Sequence, residues 1–143
     1  MPGWTTTHGS RPRPVADEKS ITRFGTGVQI DWANVPASYL NASTGKKEIP
    51  AWKAIGLLAS GGSKAIPRAD GTNPATGFLE TPAVEGDTSA PGGGMYSMVV
   101  TGNLYENQLP DSAGTPAVLD TDIKDELVAA GCRFYFQQYG DTP

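Results

Sequence analysis

Cysteine and histidine are nearly missing from this chain of 143 residues, which has one of each, Cys132 and His8. A single cysteine excludes an internal disulfide, and one of each excludes a Cys/His zinc cluster. Such usage fits a protein kept in a reducing compartment. Charge is sparse as well, at 18% Asp, Glu, Lys and Arg, against the roughly 25% usual for soluble domains. The formal net charge is −4 and the isoelectric point about 4.8. A surface so short of basic groups does not neutralise phosphates, so nucleic acid is not an expected partner. No apolar run approaches the roughly 18 residues of a membrane span. The first 20 residues lack the apolar h-region of a secretory signal. No membrane partner and no cofactor are expected.

What the chain does have is glycine, 18 residues, and proline, 12. Their density predicts many turns, short elements and a mainly β domain rather than a helical bundle. Residues 1–20 read as a flexible arm. They hold Pro2, Pro12 and Pro14, a run of threonines and few aliphatic side chains, too little apolar area to offset the entropy of ordering. The arm region is basic: residues 1–23 carry a net +2 and the remainder −6. The arm reads either as a solvated tail or as a segment that orders on a partner; Trp4 favours the second, since an indole in a free tail packs on nothing.

Residues 21–139 read as one domain, followed by a polar tail at 140–143. Val28, Ile30 and Trp32 alternate with polar residues as a half-buried strand does. Within Ile49–Ala59, Gly56 predicts a close backbone approach. Residues 61–94 are so rich in glycine and proline that they read as a long loop, pinned by one short strand at Phe78-Leu79. Met95 to Thr101 is a strand candidate, with Gly102-Asn103 as a turn. Asp120 to Ala130 has the acidic start and the glycine stop (Gly131) of a helix, and Phe134 to Tyr139 follows as the last strand.

The inventory for catalysis is thin. His8 lies in the arm, where nothing holds it near a proton to be moved. Cys132, just after the helix stop, reads as a small core residue. Asp120, Asp122 and Asp125 fail the calcium-loop pattern, because Lys124 stands at a ligand position and Asp125 where glycine is needed; they read as helix-start carboxylates. Ser43-Thr44-Gly45-Lys46 and Gly61-Gly62-Ser63-Lys64 match fragments of acyl-transfer and phosphate-binding motifs without their supporting residues. Glu80 and Glu85 form a possible carboxylate pair with no cleft implied around it. The expectation is a protein that is not an enzyme.

Three stretches, taken in order, resemble a known family. They are Ala51-Trp52 with Ala54-Ile55-Gly56-Leu57-Leu58-Ala59; Val99-Val100-Thr101-Gly102-Asn103-Leu104-Tyr105 running to Leu109-Pro110; and the helix end Leu127-Val128-Ala129-Ala130-Gly131 before an apolar strand. With the polar arm, the chain resembles the lambda-type head decoration (cement) proteins of tailed bacteriophages over roughly residues 15–136. The resemblance implies a small β-barrel or β-tulip-like domain with one or two short helices. It implies homotrimers at the threefold and quasi-threefold sites of an expanded icosahedral capsid, on the outer surface of a virion assembled in the host cytoplasm. It also implies an arm that adds to the major capsid protein. On that reading Trp4, Arg11, Arg13, Ile21 and Phe24 are the capsid-binding anchors, and Trp32 and Trp52 serve the core or the trimer contact. The alternative is a non-enzymatic carbohydrate-binding or adhesion module of a virion, in which exposed tryptophans stack on sugars.

Overall fold

Residues 14–25, 27–59, 62–87, 94–111 and 119–139 are described by the computed structural model. They form a mainly β structure. Its strands are β1 (Val15–Arg23), β2 (Val28–Ile30), β3 (Leu40–Asn41), β4 (Lys46–Ile49), β5 (Ala54–Leu57), β6 (Lys64–Pro67), β7 (Gly77–Leu79), β8 (Ala83–Val84), β9 (Met95–Tyr96), β10 (Met98–Tyr105) and β11 (Arg133–Gln137). The α-helix α1 (Thr121–Ala129) precedes β11, and single 3-10 turns cover Trp32–Asn34, Ala37–Tyr39 and Glu106–Gln108. One curled, half-barrel sheet runs in the order β1-β10-β7-β5-β6-β2-β9, with β11 pairing parallel to the far half of β10. A small sheet, β3-β4-β8, stands beside it.

The middle of the large sheet is buried on both faces. Along β5, β7 and β10, adjacent residues enter opposite clusters. Ala54, Phe78 and Val99 join Trp52, Leu104 and Leu127, whereas Ile55, Leu79 and Met98 join Val28, Ile30, Ile49 and Tyr96. A strand covered on both sides reads as a continuous apolar run and not as an alternation. That is why these strands look alike in sequence while serving two cores. Where Thr22 faces Thr101 and Arg23 faces Val99, β10 carries one extra residue, a β-bulge. Such a bulge re-aims the side chains beyond it. Before it, Val99 points into the Phe78 cluster; after it, Leu104 does.

Several expectations are corrected. The span 61–94 holds three strands of the large and small sheets, β6, β7 and β8, and β9 begins just after it. Gly62, Gly71 and Gly86 turn the chain between strands of two to four residues, which are too short to show a period, while Pro67 and Gly77 lie inside strands. Phe78-Leu79 does sit in one of them. Gly102-Asn103 is no turn; it lies inside β10. Glycine is needed there because a Cβ would come within 2.5 Å of the Cδ1 of Ile21, which crosses from β1. Gly56 is the close approach its position predicts: a Cβ would collide with the Pro74 carbonyl and lie 2.7 Å from Asn73 Nδ2.

The arm boundary moves too. Residues 15–20 are part of β1, paired antiparallel with β10, because Val15 and Ile21 bury against the Phe78 cluster. The flexible-arm reading of residues 1–20 is therefore wrong for 15–20, and residues 1–13 lie outside the described residues. The helix forms as its caps dictate. The Asp120 side chain accepts from the Asp122 N–H at 2.9 Å, and Gly131 turns the chain at φ 87°.

Candidate docking pole

Tyr105 closes β10, and both ends of the folded chain meet on it. Its N–H donates to the Pro14 carbonyl at 2.5 Å, where the preceding 13 residues depart. Its ring meets the Tyr139 ring edge-on at 5.2 Å, beyond which four residues remain. The second contact is held by side chains that imitate a backbone ladder. Asn107 Nδ2 donates to the Tyr139 carbonyl at 2.9 Å, and the Tyr139 N–H donates to Asn107 Oδ1 at 2.8 Å. Gln138 Nε2 donates to Glu106 Oε1 at 2.8 Å, while Glu106 pairs with Lys124 of α1 at 2.6 Å. The Lys124 ammonium also lies 5.5 Å from the Phe136 ring centroid.

The edge strand beside this pole is interrupted. Asp17 faces Asn103 and Thr22 faces Thr101, so the register shifts between them and β1 carries extra residues there. Ser20 fills the gap: its hydroxyl donates to the Asp17 carbonyl at 2.6 Å and accepts from the Asn103 N–H at 2.8 Å. The excursion exposes Asp17, Glu18 and Lys19. Charges and bulges of this kind discourage another strand from pairing along an edge.

The residues singled out from sequence are placed as follows. Trp4, His8, Arg11 and Arg13 lie outside the described residues. Ile21 and Phe24 are half-buried against the two clusters, Ile21 with Phe78 and Phe24 with Val28. Trp52 is a core residue, 5% exposed, with its N–H on the Leu79 carbonyl and a left-handed φ of 68°. Trp32 is half-buried against the Val28 cluster. Tyr105 and Tyr139 entered the sequence analysis only as the ends of apolar stretches, and Asn107 and Tyr135 were not singled out there. The signal for Tyr135 was the Phe-Tyr-Phe alternation of the last strand, which sends Phe134 and Phe136 inward and the tyrosine out.

Groups with chemical potential are tied to structural partners. Cys132 is half-buried, donates to the Thr76 carbonyl at 3.1 Å, and has its pKa raised by burial, the reverse of an activated nucleophile. Glu80 receives the Arg23 guanidinium through both oxygens, at 2.7 Å each. Glu85 accepts from the Lys47 N–H at 3.1 Å. Ser43 to Gly45 form the turn between β3 and β4, where Asn41 Oδ1 accepts from the Ser43 N–H at 2.9 Å. Burial, with the charge of Asp111 second, pushes the Tyr39 hydroxyl up to about 12, and burial pulls the Lys53 ammonium down. Among the described residues no group of three or more His, Cys, Asp and Glu side chains is placed to hold a metal ion. No helix there is long and apolar enough to cross a membrane.

A separate groove of about 510 Å³ is lined by Asp31, Asn34, Lys64 and Thr72 around Leu58 and Ile66. Asn34 Nδ2 donates to Asp31 Oδ2 across its rim at 2.8 Å. Comparison with known proteins leaves the fold and these two sites to be read on their own terms: no family model, no curated protein and no solved structure matches the chain.

Proposed function

We propose that this protein is a phage capsid decoration protein, a cement that binds the expanded icosahedral shell from outside and stabilises it against DNA pressure. The observation that carries the reading is the shared pole: Pro14 and Tyr139, the first and last described residues, both meet Tyr105. Residues 1–13 then add to the major capsid protein as an extended strand, a mode in which backbone hydrogen bonds supply affinity. Arg11 and Arg13 give the segment positive charge beside an otherwise acidic chain, and Trp4 gives it an apolar anchor. Three copies around a threefold or quasi-threefold site present three such segments at once, so weak single contacts sum by effective concentration. Binding only the expanded state stabilises that state by mass action, about 2.7 kcal/mol at a hundredfold excess over the dissociation constant. The mechanism needs no catalysis and no cofactor.

The test is co-sedimentation with capsids of the parent phage, before and after expansion. Full-length protein is expected to saturate expanded shells only, and a Δ1–13 version to lose that binding while keeping its fold. Deleting residues 1–20 would be a poor version of the experiment, because it removes most of an ordered strand. Equal binding by Δ1–13 and full-length protein refutes the arm's role, and no binding to either shell refutes decoration.

A second reading, a carbohydrate-binding or adhesion module, is favoured by the groove at Asp31 and Asn34. Donors and acceptors there surround two half-buried aliphatic side chains, a mixture suited to a neutral polyhydroxylated ligand. Glycan titration followed by the fluorescence of neighbouring Trp32 tests it.

A further inference from the structure

The outward face of β10 and β11 at the Tyr105 pole has the composition of an interface. Leu104 and Phe136 face each other in the parallel register and point into the Phe78 cluster. Their neighbours therefore point out: Asn103 beside Tyr135, and Tyr105 beside Gln137. Tyr135 is 64% exposed and Tyr139 45%, two of the four most exposed large hydrophobic residues among those described. Exposed Arg133 stands in the same outward row as Tyr135. Tyrosine and arginine are the residue types enriched where proteins bind proteins, because each offers a large rigid or planar surface together with hydrogen-bond donors. Of the outward residues of β10 and β11, only Arg133 is charged, so little desolvation of charge opposes docking.

We infer that this tyrosine face is a second, rigid contact on the same protein surface that captures residues 1–13. The inference rests on the decoration reading, and the way the chain leaves the fold identifies the occupant. The 13 residues before Pro14 depart one strand away from β11, on the other side of β10. Whatever protein holds their near end stands next to Tyr105, and so within one or two strand spacings, roughly 5–10 Å, of Tyr135 and Tyr139. The clamp of Asn107 on the Tyr139 backbone keeps that ring in place before docking, which lowers the entropy lost on binding. Arm and face joined in one molecule act as a bivalent ligand, each raising the effective concentration of the other.

The experiment compares Tyr135→Ser and Tyr135→Ser/Tyr139→Ser, each with the arm intact, against wild type and Δ1–13 on expanded capsids of the parent phage. Thermal melting checks the fold of each variant. Sedimentation velocity of the free proteins measures self-association. The expected result is a loss of shell affinity of roughly tenfold or more for Tyr135→Ser, the size of an interface hot spot, with melting and self-association unchanged. Hydroxyl-radical footprinting of wild type supplies a readout free of mutation, and is expected to show Tyr135 and Tyr139 protected on shells. Wild-type affinity in the tyrosine variants, alongside lost binding by Δ1–13, overturns this inference and leaves decoration standing. Altered self-association with unchanged shell affinity also overturns it, by making the face a contact between copies. Failure of wild type to bind any shell takes down both readings.

Discussion

The two hydrophobic clusters lie on opposite faces of one sheet and are built from different kinds of sequence. The Phe78 cluster draws on long or well-signalled elements: α1 with its caps, the far half of β10, and the aromatic strand β11. Its rings interlock, with Phe78 edge-on to Phe134 at 5.0 Å and to Phe136 at 6.4 Å. The Val28 cluster is collected mostly from short pieces, β2, β4, β5, β6, β7, β8 and β9, and from a 3-10 turn ending in Tyr39, joined by Met98 at the start of the long β10. Strands of two to four residues carry little local signal of their own, so most of the Val28 cluster depends on pairing between distant segments. Three strands link the two clusters, β5, β7 and β10, and β7 does so with its two largest side chains, Phe78 in one cluster and Leu79 in the other.

The sharpest way to break the contrast is to cut β7 on each face. Phe78→Ala is expected to cost about 3–5 kcal/mol and Leu79→Ala about 2–5 kcal/mol, since both side chains are fully buried and both deletions leave cavities. Trp52 reports from the Phe78 cluster and Trp32 from the other. Denaturant titrations of Trp32→Phe and Trp52→Phe backgrounds are expected to show coincident transitions in both. Separated transitions would mean the clusters unfold independently and β7 does not couple them.

A smaller effect tests how the two sides are tied by charge. Arg68, in the turn after β6, donates to both oxygens of Glu126 on α1, at 2.7 and 3.0 Å, and Glu126 Oε1 also accepts from the Ala75 N–H at 2.8 Å. Both side chains are largely buried, so Glu126→Gln is expected to cost about 1.5–3 kcal/mol, the range for hydrogen bonds to charged groups. The Arg68 hydrogen bond, opposed by burial and helped by the Ala75 N–H, holds the Glu126 carboxyl below its usual pKa. A depressed folded-state pKa means the unfolded chain binds the proton first. This stability is therefore present above the ordinary carboxylate range and is lost as the pH falls through the folded-state value. Melting temperature against pH is expected to fall on the acid side in wild type and to fall less steeply in Glu126→Gln.

The smallest effect belongs to Arg23 and Glu80, whose bidentate pair ties β1 to the residue after β7. Arg23 is half exposed, so water screens the pair. Arg23→Gln is expected to cost about 0.2–1 kcal/mol. A larger loss in denaturant titration would show that β1 depends on this contact more than on its register with β10.

What was legible follows the same division. The helix could be read because Asp120, the acidic first turn and Gly131 are local signals. So could the last strand, and so could Phe78-Leu79 inside a glycine-rich stretch. The strands around that stretch were not legible, because Lys64–Pro67 and Ala83–Val84 are too short to show a period. Gly102 misled because a glycine that makes room for Ile21 looks the same in sequence as one that turns the chain. The docking pole was the least visible, since Pro14, Tyr105 and Tyr139 are far apart along the chain and meet only through the pairing of β1 and β11 on either side of β10.

The sequence alone determined the class of the molecule: mainly β, turn-rich, acidic and poor in nucleophiles, with a basic amino-terminal segment. Those properties are sums over residues or patterns within a few turns of chain, and composition records them directly. Only the tertiary structure decided which consecutive residues of β5, β7 and β10 serve which core, that β1 starts at Val15, and which tyrosines stand exposed on β11 and after it. These are outcomes of register and of a single bulge in β10. A one-residue slip in pairing sends every later side chain to the other face, and nothing local in the chain announces where that slip occurs.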